Sequence, residues 1–305
     1  MQSTLQLLQQ LVNGLTIGSF YALVALGYTM VYGVLKLINF AHGDLFMWGA
    51  YLGLTGLTVL SAGMLGAGAW VIAPVAVLVF LCIAGAGVLV DRIAYRPLRS
   101  AGRLPPLISA LGVAFILQSL ARNIYGASWR TYPQLPGLTG GLTLAGGLRI
   151  TFLQILVVTI AFLLMAGLSL FVHRTRVGTA MRAVSIDPVA ARLMGVDVDR
   201  IIALVFLIGP GLGGVAGLIV AFYYGSFDFT LGWTFGLKAF IAAILGGIGN
   251  IPGAMLGGLL LGVVETLASG YVSPMWKDVI AYATLIVILI VRPVGLLGER
   301  VAAKV

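Results

Sequence analysis

Residues 201–227 read IIALVFLIGPGLGGVAGLIVAFYYGSF, without one charged side chain. About 20 apolar residues in a helix cross the hydrocarbon core of a bilayer, so this stretch is long enough to span a membrane. Its Gly209, Gly213 and Gly217 recur every four residues, as do the pairs Gly14/Gly18, Gly49/Gly53, Gly253/Gly257 and Gly258/Gly262 elsewhere in the chain. In lipid, that spacing lets helix backbones approach where no hydrophobic effect drives association. Reading outward, further charge-free stretches run through 1–35, 45–90, 104–121, 150–172, 239–264 and 279–291. Stretch 45–90 holds two spans, split near the glycine-rich Ser61–Gly68. Eight hydrophobic segments result, at 10–32, 44–61, 68–90, 105–125, 151–172, 201–224, 236–268 and 275–292. Of the 305 residues 60% are hydrophobic and 9% charged, whereas a soluble domain carries roughly 25% charged residues. The 18 basic and 9 acidic side chains cannot clothe a soluble globule of this size. A soluble enzyme, a nucleic-acid binder and a disordered tail are excluded. The expected fold class is all-α, a polytopic membrane helix bundle in a lipid bilayer.

The net charge of +9 is placed as a membrane topology signal rather than as a nucleic-acid surface. Basic residues gather in three short stretches: Arg92, Arg96, Arg99 and Arg103; Arg174, Arg176, Arg182, Arg192 and Arg200; Arg292, Arg300 and Lys304. Basic clusters beside apolar spans face the cytoplasm. The loop 126–150 then lies outside, and the N-terminus outside as well. A single crossing by 236–268 would put the basic C-terminus outside. Letting 236–270 enter and return as two pieces joined at Gly246–Gly253 removes the conflict. The count is eight or nine spans, nine preferred. The one cysteine, Cys82, reads as a small buried apolar residue.

Polar chemistry interrupts the apolar pattern in three places. Leu37–Asp44, LINFAHGD, carries Asn39, His42 and Asp44, and Gly43 is expected to break the helix there. Such groups beside a span are costly unless they pair, line water or sit at an interface. Two readings stand: an interfacial turn with Lys36 at the surface and Asp44 capping the next helix, or a broken helix beside a translocation path. A metal site on His42 is disfavoured, because the other histidine, His173, begins a distant basic loop. Leu245–Gly253, LGGIGNIPG, concentrates Gly246, Gly247, Gly249, Asn250, Pro252 and Gly253. Irregular backbone at membrane depth is tolerated only when buried in protein or lining a wet cavity, and broken helices mark substrate paths in transporters. Lys238 and Glu265 flank this break and read as interface residues or as members of the path. The third place is His173–Arg200. There Asp187 suits an N-cap, Pro188 the first helical position and Gly195 the left-handed C-terminal position. They outline a short helix, Pro188–Met194, with a small apolar face of Ala190, Ala191, Leu193 and Met194. It reads as a docking element for a soluble partner, or as an ordinary solvated loop helix. There is no phosphate-binding G-x-x-x-x-G-K-[ST], so the chain is not expected to hydrolyse a nucleotide itself.

These same residues carry a resemblance. The strings NGLTIGSFYALVALGYTMVYGVLKLINFAHGDLFMWGAY, DRIAYRPLRS, RTRVGTAMRAVSIDPVAARLMGVDVDR and GLKAFIAAILGGIGNIPGAMLGGLLLG resemble, in order and over nearly the whole chain, the LivH-type permeases, membrane subunits of bacterial branched-chain amino acid ABC importers. The outer loop 126–150 matches least. The resemblance implies one transmembrane permease domain over 1–305 with a cytoplasmic coupling loop at 174–200, multi-pass in the bacterial inner membrane. It implies a second, LivM-type permease subunit, two LivG/LivF-type cytoplasmic ATPases that bind ATP and Mg, and a periplasmic binding protein. It implies no catalytic residue, metal or cofactor in this chain. Arg182, Asp187, Pro188, Ala191 and Gly195 would couple to the ATPase. Asn39, His42, Asp44, Gly246, Gly247, Gly249 and Asn250 would line the translocation path. The cargo implied is leucine, isoleucine or valine. Urea, short amides or other amino acids in the same importer type remain an alternative, as does a stand-alone secondary transporter using His42, Asp44 and Glu265.

Overall fold

The computed structural model describes residues 2–63, 69–99, 101–102, 104–133, 140–143 and 147–298. Eleven α-helices are present among them: α1 (Gln2–Leu35), α2 (Ala41–Gly63), α3 (Ile72–Val90), α4 (Leu104–Tyr125), α5 (Phe152–Arg174), α6 (Arg176–Ile186), α7 (Pro188–Leu193), α8 (Val198–Tyr224), α9 (Leu231–Gly246), α10 (Ile251–Tyr271) and α11 (Lys277–Val291). Two short antiparallel pairs join them, β1 (Arg130–Thr131) with β4 (Ser226–Phe227) and β2 (Gly141–Thr143) with β3 (Arg149–Thr151). Seven helical stretches among the described residues are long and apolar enough to cross a bilayer, with α9 a shorter apolar helix of 16 residues. The chain is a multi-pass membrane helix bundle. Both expected breaks are present, at 36–40 between α1 and α2 and at 247–250 between α9 and α10. Much of the expected split at Ser61–Gly68, and Arg103, Arg300 and Lys304, lie outside the described residues.

The contacts divide the chain into two compact units, with the divisions inside α1, α5 and α9 and just before β2. One unit holds residues 1–29, 141–169 and 238–305. Within it α1 packs on α10 through facing glycines. A β-carbon on Gly18 would lie 2.7 Å from the Leu259 Cα, and one on Gly262 2.2 Å from the Gly18 nitrogen. The backbones touch, as the four-residue glycine spacing requires.

The other unit holds 30–140 and 170–237 and is built around α8. Asp197 caps α8 by accepting from the Arg200 amide, and Gly225 closes it at φ +70°. A β-carbon on Gly217 would lie 1.9 Å from the Phe46 carbonyl, and one on Gly87 2.1 Å from the Phe206 carbonyl. Helices α2 and α3 therefore seat directly on α8. Tyr132, fully buried, donates to the Ala50 carbonyl at 2.9 Å and ties the strand β1 region to α2.

Three local expectations change. Cys82 is exposed and not buried, because α3 turns Val79, Ile83 and Gly87 inward instead. Gly43 lies inside α2 and does not end a helix. Its hydrogen faces the Gly232 carbonyl, where a β-carbon would sit at 2.4 Å, so close approach and not turn formation explains it. Asp44 is then a buried residue of the first turn of α2 rather than a cap preceding it.

Candidate functional site

The loop 173–200 holds more structure than its capping signals suggested. Before α7 comes the 11-residue α6, capped by the Thr175 hydroxyl accepting from the Gly178 amide. The α5–α6 corner is tight: a β-carbon on Gly178 would lie 2.2 Å from the Val172 carbonyl, and the Arg182 guanidinium donates to that same carbonyl. Arg182 thus holds the corner that aims α6. Asp187 caps α7 through the Val189 and Ala190 amides at 2.8 and 3.0 Å. Pro188 takes the first helical position, and Gly195 turns the chain at φ +84°. A non-glycine residue pays for a left-handed backbone, so glycine is the natural stop here.

The apolar surface of this loop differs from the one expected. Ala191 points inward at 5% exposure, whereas Ile186, Leu193 and Met194 each stand 84% exposed and Val189 68%. Monomeric proteins seldom leave large apolar side chains clustered in the open unless something covers them. Behind α7 runs a groove of about 310 Å³, bordered by Leu35, Leu37, Arg99, Pro188, Arg192 and Asp199.

Charge ties this loop to the end of α3. Arg99 donates to Asp199 at 2.7 Å and to the buried Asp91, and Arg96 reaches Asp199 at 3.2 Å. Asp91 opens a single π-helical turn, Asp91–Tyr95. Turns of that kind are rare and cluster at functional sites. At its far end Tyr95, fully buried, donates at 3.2 Å to the Ile38 carbonyl and the Asn39 side-chain oxygen. Two of the basic stretches and the first break thus form one connected set of contacts, a link that spacing in the chain does not reveal.

Asn39, His42 and Asp44 are all buried, at 1%, 0% and 3% exposure. The His42 ring lies against Gly213 of α8, where a β-carbon would come within 2.9 Å. Asp44 lies against Gly232. Asn39 Nδ2 and Asp44 Oδ1 make no hydrogen bond among the described residues. Buried polar atoms are ordinarily paired, and such exceptions call for an explanation in chemistry.

The second break is differently made. Asn250 caps α10 by accepting from the Gly253 amide at 2.9 Å and donates to the Leu297 carbonyl at 2.9 Å. Leu296 and Leu297 in turn donate backbone hydrogen bonds to the Leu245 and Gly246 carbonyls at 2.8 and 2.9 Å. Gly247 and Gly249 adopt φ +104° and +100°. Gly246 packs so closely on Gly253 that a β-carbon would lie 1.9 Å from its carbonyl. Lys238 and Glu265, read from the sequence as flanking this break, instead pair with each other at 2.5 Å, both nearly buried. Residues 27 apart on separate helices carry no sequence signal of that partnership.

The chain matches, over residues 10–289, the model of the family described as branched-chain amino acid transport system / permease component. It is 44% identical to the high-affinity branched-chain amino acid transport system permease protein BraD of Pseudomonas aeruginosa, covering 98% of both chains. It is 42% identical to the permease protein LivH of Escherichia coli K12, over 99% of this chain and 98% of that one. A probable LivH of Methanocaldococcus jannaschii is 30% identical over 90% of this chain and 88% of its own. No solved structure matches the chain. A multi-pass helical bundle with a near-complete match to these permeases belongs to the branched-chain amino acid transport permease family.

Proposed function

We propose that this chain is one of two membrane subunits of an ATP-driven importer for leucine, isoleucine and valine, in the bacterial inner membrane. A second permease subunit of LivM type pairs with it. A periplasmic binding protein delivers the amino acid, and two cytoplasmic ATPases of LivG/LivF type bind ATP and Mg and supply the work. The chain itself is a permease and not an enzyme. Identity of 42–44% along almost the whole length supports the cargo and the assembly.

The ATPases grip α6 and α7. The observation carrying this is the set of four large apolar side chains, Ile186, Val189, Leu193 and Met194, left in the open on a rigidly capped loop. Arg182, Asp187, Pro188, Ala191 and Gly195 shape that loop; the exposed residues make the contact. Arg99 then transmits the movement, since it holds Asp199 at the start of α8 and Asp91 at the end of α3 together. Through the π-helical turn and Tyr95 the pull reaches Asn39 and the break that leads to His42 and Asp44. Closure of the ATPases on ATP favours one of two conformations of the bundle, and a ligand shifts such an equilibrium only by its differential affinity for the two states.

Replacing Leu193 with Glu in the reconstituted complex tests the docking role, because an 84% exposed side chain contributes little to folding. Loss of a central apolar contact weakens a protein interface by about tenfold or more, and ATP-driven leucine uptake falls accordingly while the protein stays in the membrane. Uptake and ATPase co-purification equal to the wild type remove the docking assignment.

A further inference from the structure

One cluster of charge in the apolar bundle is left unexplained by the docking loop and by either break. Lys238 of α9 and Glu265 of α10 lie 2.5 Å apart, at 14% and 6% side-chain exposure. Glu265 accepts from the Tyr21 hydroxyl of α1 at 2.7 Å through its other oxygen, and the Lys238 ammonium stands 5.8 Å from the centre of the Tyr21 ring. The same ammonium meets Asp278 at 2.7 Å, and Lys277 lies 4.0 Å from Glu265. Asp278 and Lys277 are about half exposed, so the cluster runs from a buried floor to an open rim.

Stability alone does not account for this group. Desolvating two charges offsets most of their attraction, and a well-packed apolar pair of similar volume usually serves as well or better. Ionisable side chains inside membrane spans are rare, and they mark pathways and binding sites. What this cluster offers is specific: an ammonium and a carboxylate side by side, with a hydroxyl on the carboxylate and an aromatic face beside the ammonium. A free amino acid carries the complementary set, a carboxylate and an ammonium on one carbon. The two lysines and two acids balance, so a simple cation or anion gains little from the cluster, whereas a zwitterion finds a partner for each end.

We infer that Lys238, Glu265 and Tyr21 form a binding site for the α-carboxylate and α-ammonium of the transported amino acid; this rests on the permease reading above. The Lys238–Glu265 bond opens, the cargo carboxylate takes Lys238, and the cargo ammonium takes Glu265. Tyr21 keeps its hydrogen bond to Glu265, and Asp278 keeps Lys238 paired during the exchange. No buried charge stands alone at any stage, and when the cargo leaves, the two side chains pair again.

The test uses the complete importer in proteoliposomes, with its ATPases and binding protein. The double variant Lys238→Met/Glu265→Leu removes both charges together and leaves neither unpaired. It assembles and hydrolyses ATP, but leucine uptake falls at least about tenfold, as expected when charged hydrogen bonds to a ligand are lost. Photocrosslinking of a diazirine analogue of leucine to α9 and α10, present in the wild type, disappears. Glu265→Gln keeps the Lys238–Asp278 pair and removes only the negative charge that the ammonium meets; it lowers uptake in the same direction, and it decides the matter should the double variant fail to assemble. Wild-type uptake by an assembled variant, or equal crosslinking with and without the pair, overturns the inference. A wild-type complex that imports no leucine sinks the permease reading itself, while wild-type import matched by the variants sinks this inference alone.

Discussion

The two breaks in the helical pattern look alike on paper and are built in opposite ways. Both interrupt apolar runs with glycine and asparagine. At 247–250 the backbone is satisfied by protein: Asn250 uses both ends of its amide, and the segment Leu296–Leu297 supplies hydrogen bonds to the carbonyls that α9 leaves open at its end. At 36–44 the backbone bends and the side chains are buried, yet Asn39 Nδ2 and Asp44 Oδ1 remain without a hydrogen-bond partner among the described residues. A fully satisfied break is a joint. A break with unmet polar capacity is where a passing polar ligand or water gains most, because a buried group without a partner carries its whole desolvation cost. The comparison teaches that glycine content locates an interruption, while hydrogen-bond saturation separates a hinge from a candidate path.

The largest effect expected from this contrast is at the joint. Gly246→Val inserts a side chain where even a β-carbon would lie 1.9 Å from the Gly253 carbonyl. Helices α9 and α10 cannot then pack, and membrane-inserted protein should drop to a small fraction of wild type on an immunoblot. Normal levels would show that the joint tolerates separation. At the other break the damage should fall on transport instead. Asp44→Asn keeps the shape and removes a poorly paired buried charge, so thermal stability holds or rises, while leucine uptake falls about tenfold if that carboxylate serves the path. Unchanged uptake would turn the first break into a joint as well.

A smaller effect is expected along the link between the loop and the first break. Asp199→Asn spares the Arg99–Asp91 pair and weakens only the half that reaches α8. The Asp199 carboxylate is 41% exposed and such screened pairs contribute about 0.2–1 kcal/mol, so ATP hydrolysis continues but the amino acid carried per ATP falls a few-fold. An unaltered ratio would place transmission elsewhere. The smallest effect belongs to Asn250→Ala, which loses an N-cap that contributes about 1 kcal/mol. Its melting temperature should fall by a few degrees with uptake close to wild type, and Asn250→Asp, which restores the cap but cannot donate to the Leu297 carbonyl, should recover only part of the loss. A transport defect in Asn250→Ala without a stability change would move the second break into the path.

Much of this architecture was legible in one dimension. The charge-free runs located the membrane helices, because a bilayer fixes a length and forbids unpaid charge. Asp187, Pro188 and Gly195 outlined α7, because capping acts over a few residues. The glycine pairs Gly14/Gly18 and Gly258/Gly262 announced a close helix contact, though not that they face one another. Helix α6 was missed because its cap, Thr175 onto Gly178, lacks the acidic partner that makes a capping box recognisable. The sequence puts Ala191 and Leu193 on one apolar face, and only the packed structure shows one turned inward and the other outward.

What the sequence determined by itself is whatever depends on neighbours in the chain: span lengths, caps and small-residue spacing. Tertiary structure alone decided which charges meet. Lys238 and Glu265, Arg99 and Asp199, Tyr95 and Asn39 are remote in sequence, and their pairing follows from how helices cross, since electrostatic and hydrogen-bond energies depend on separation in space over a few ångströms.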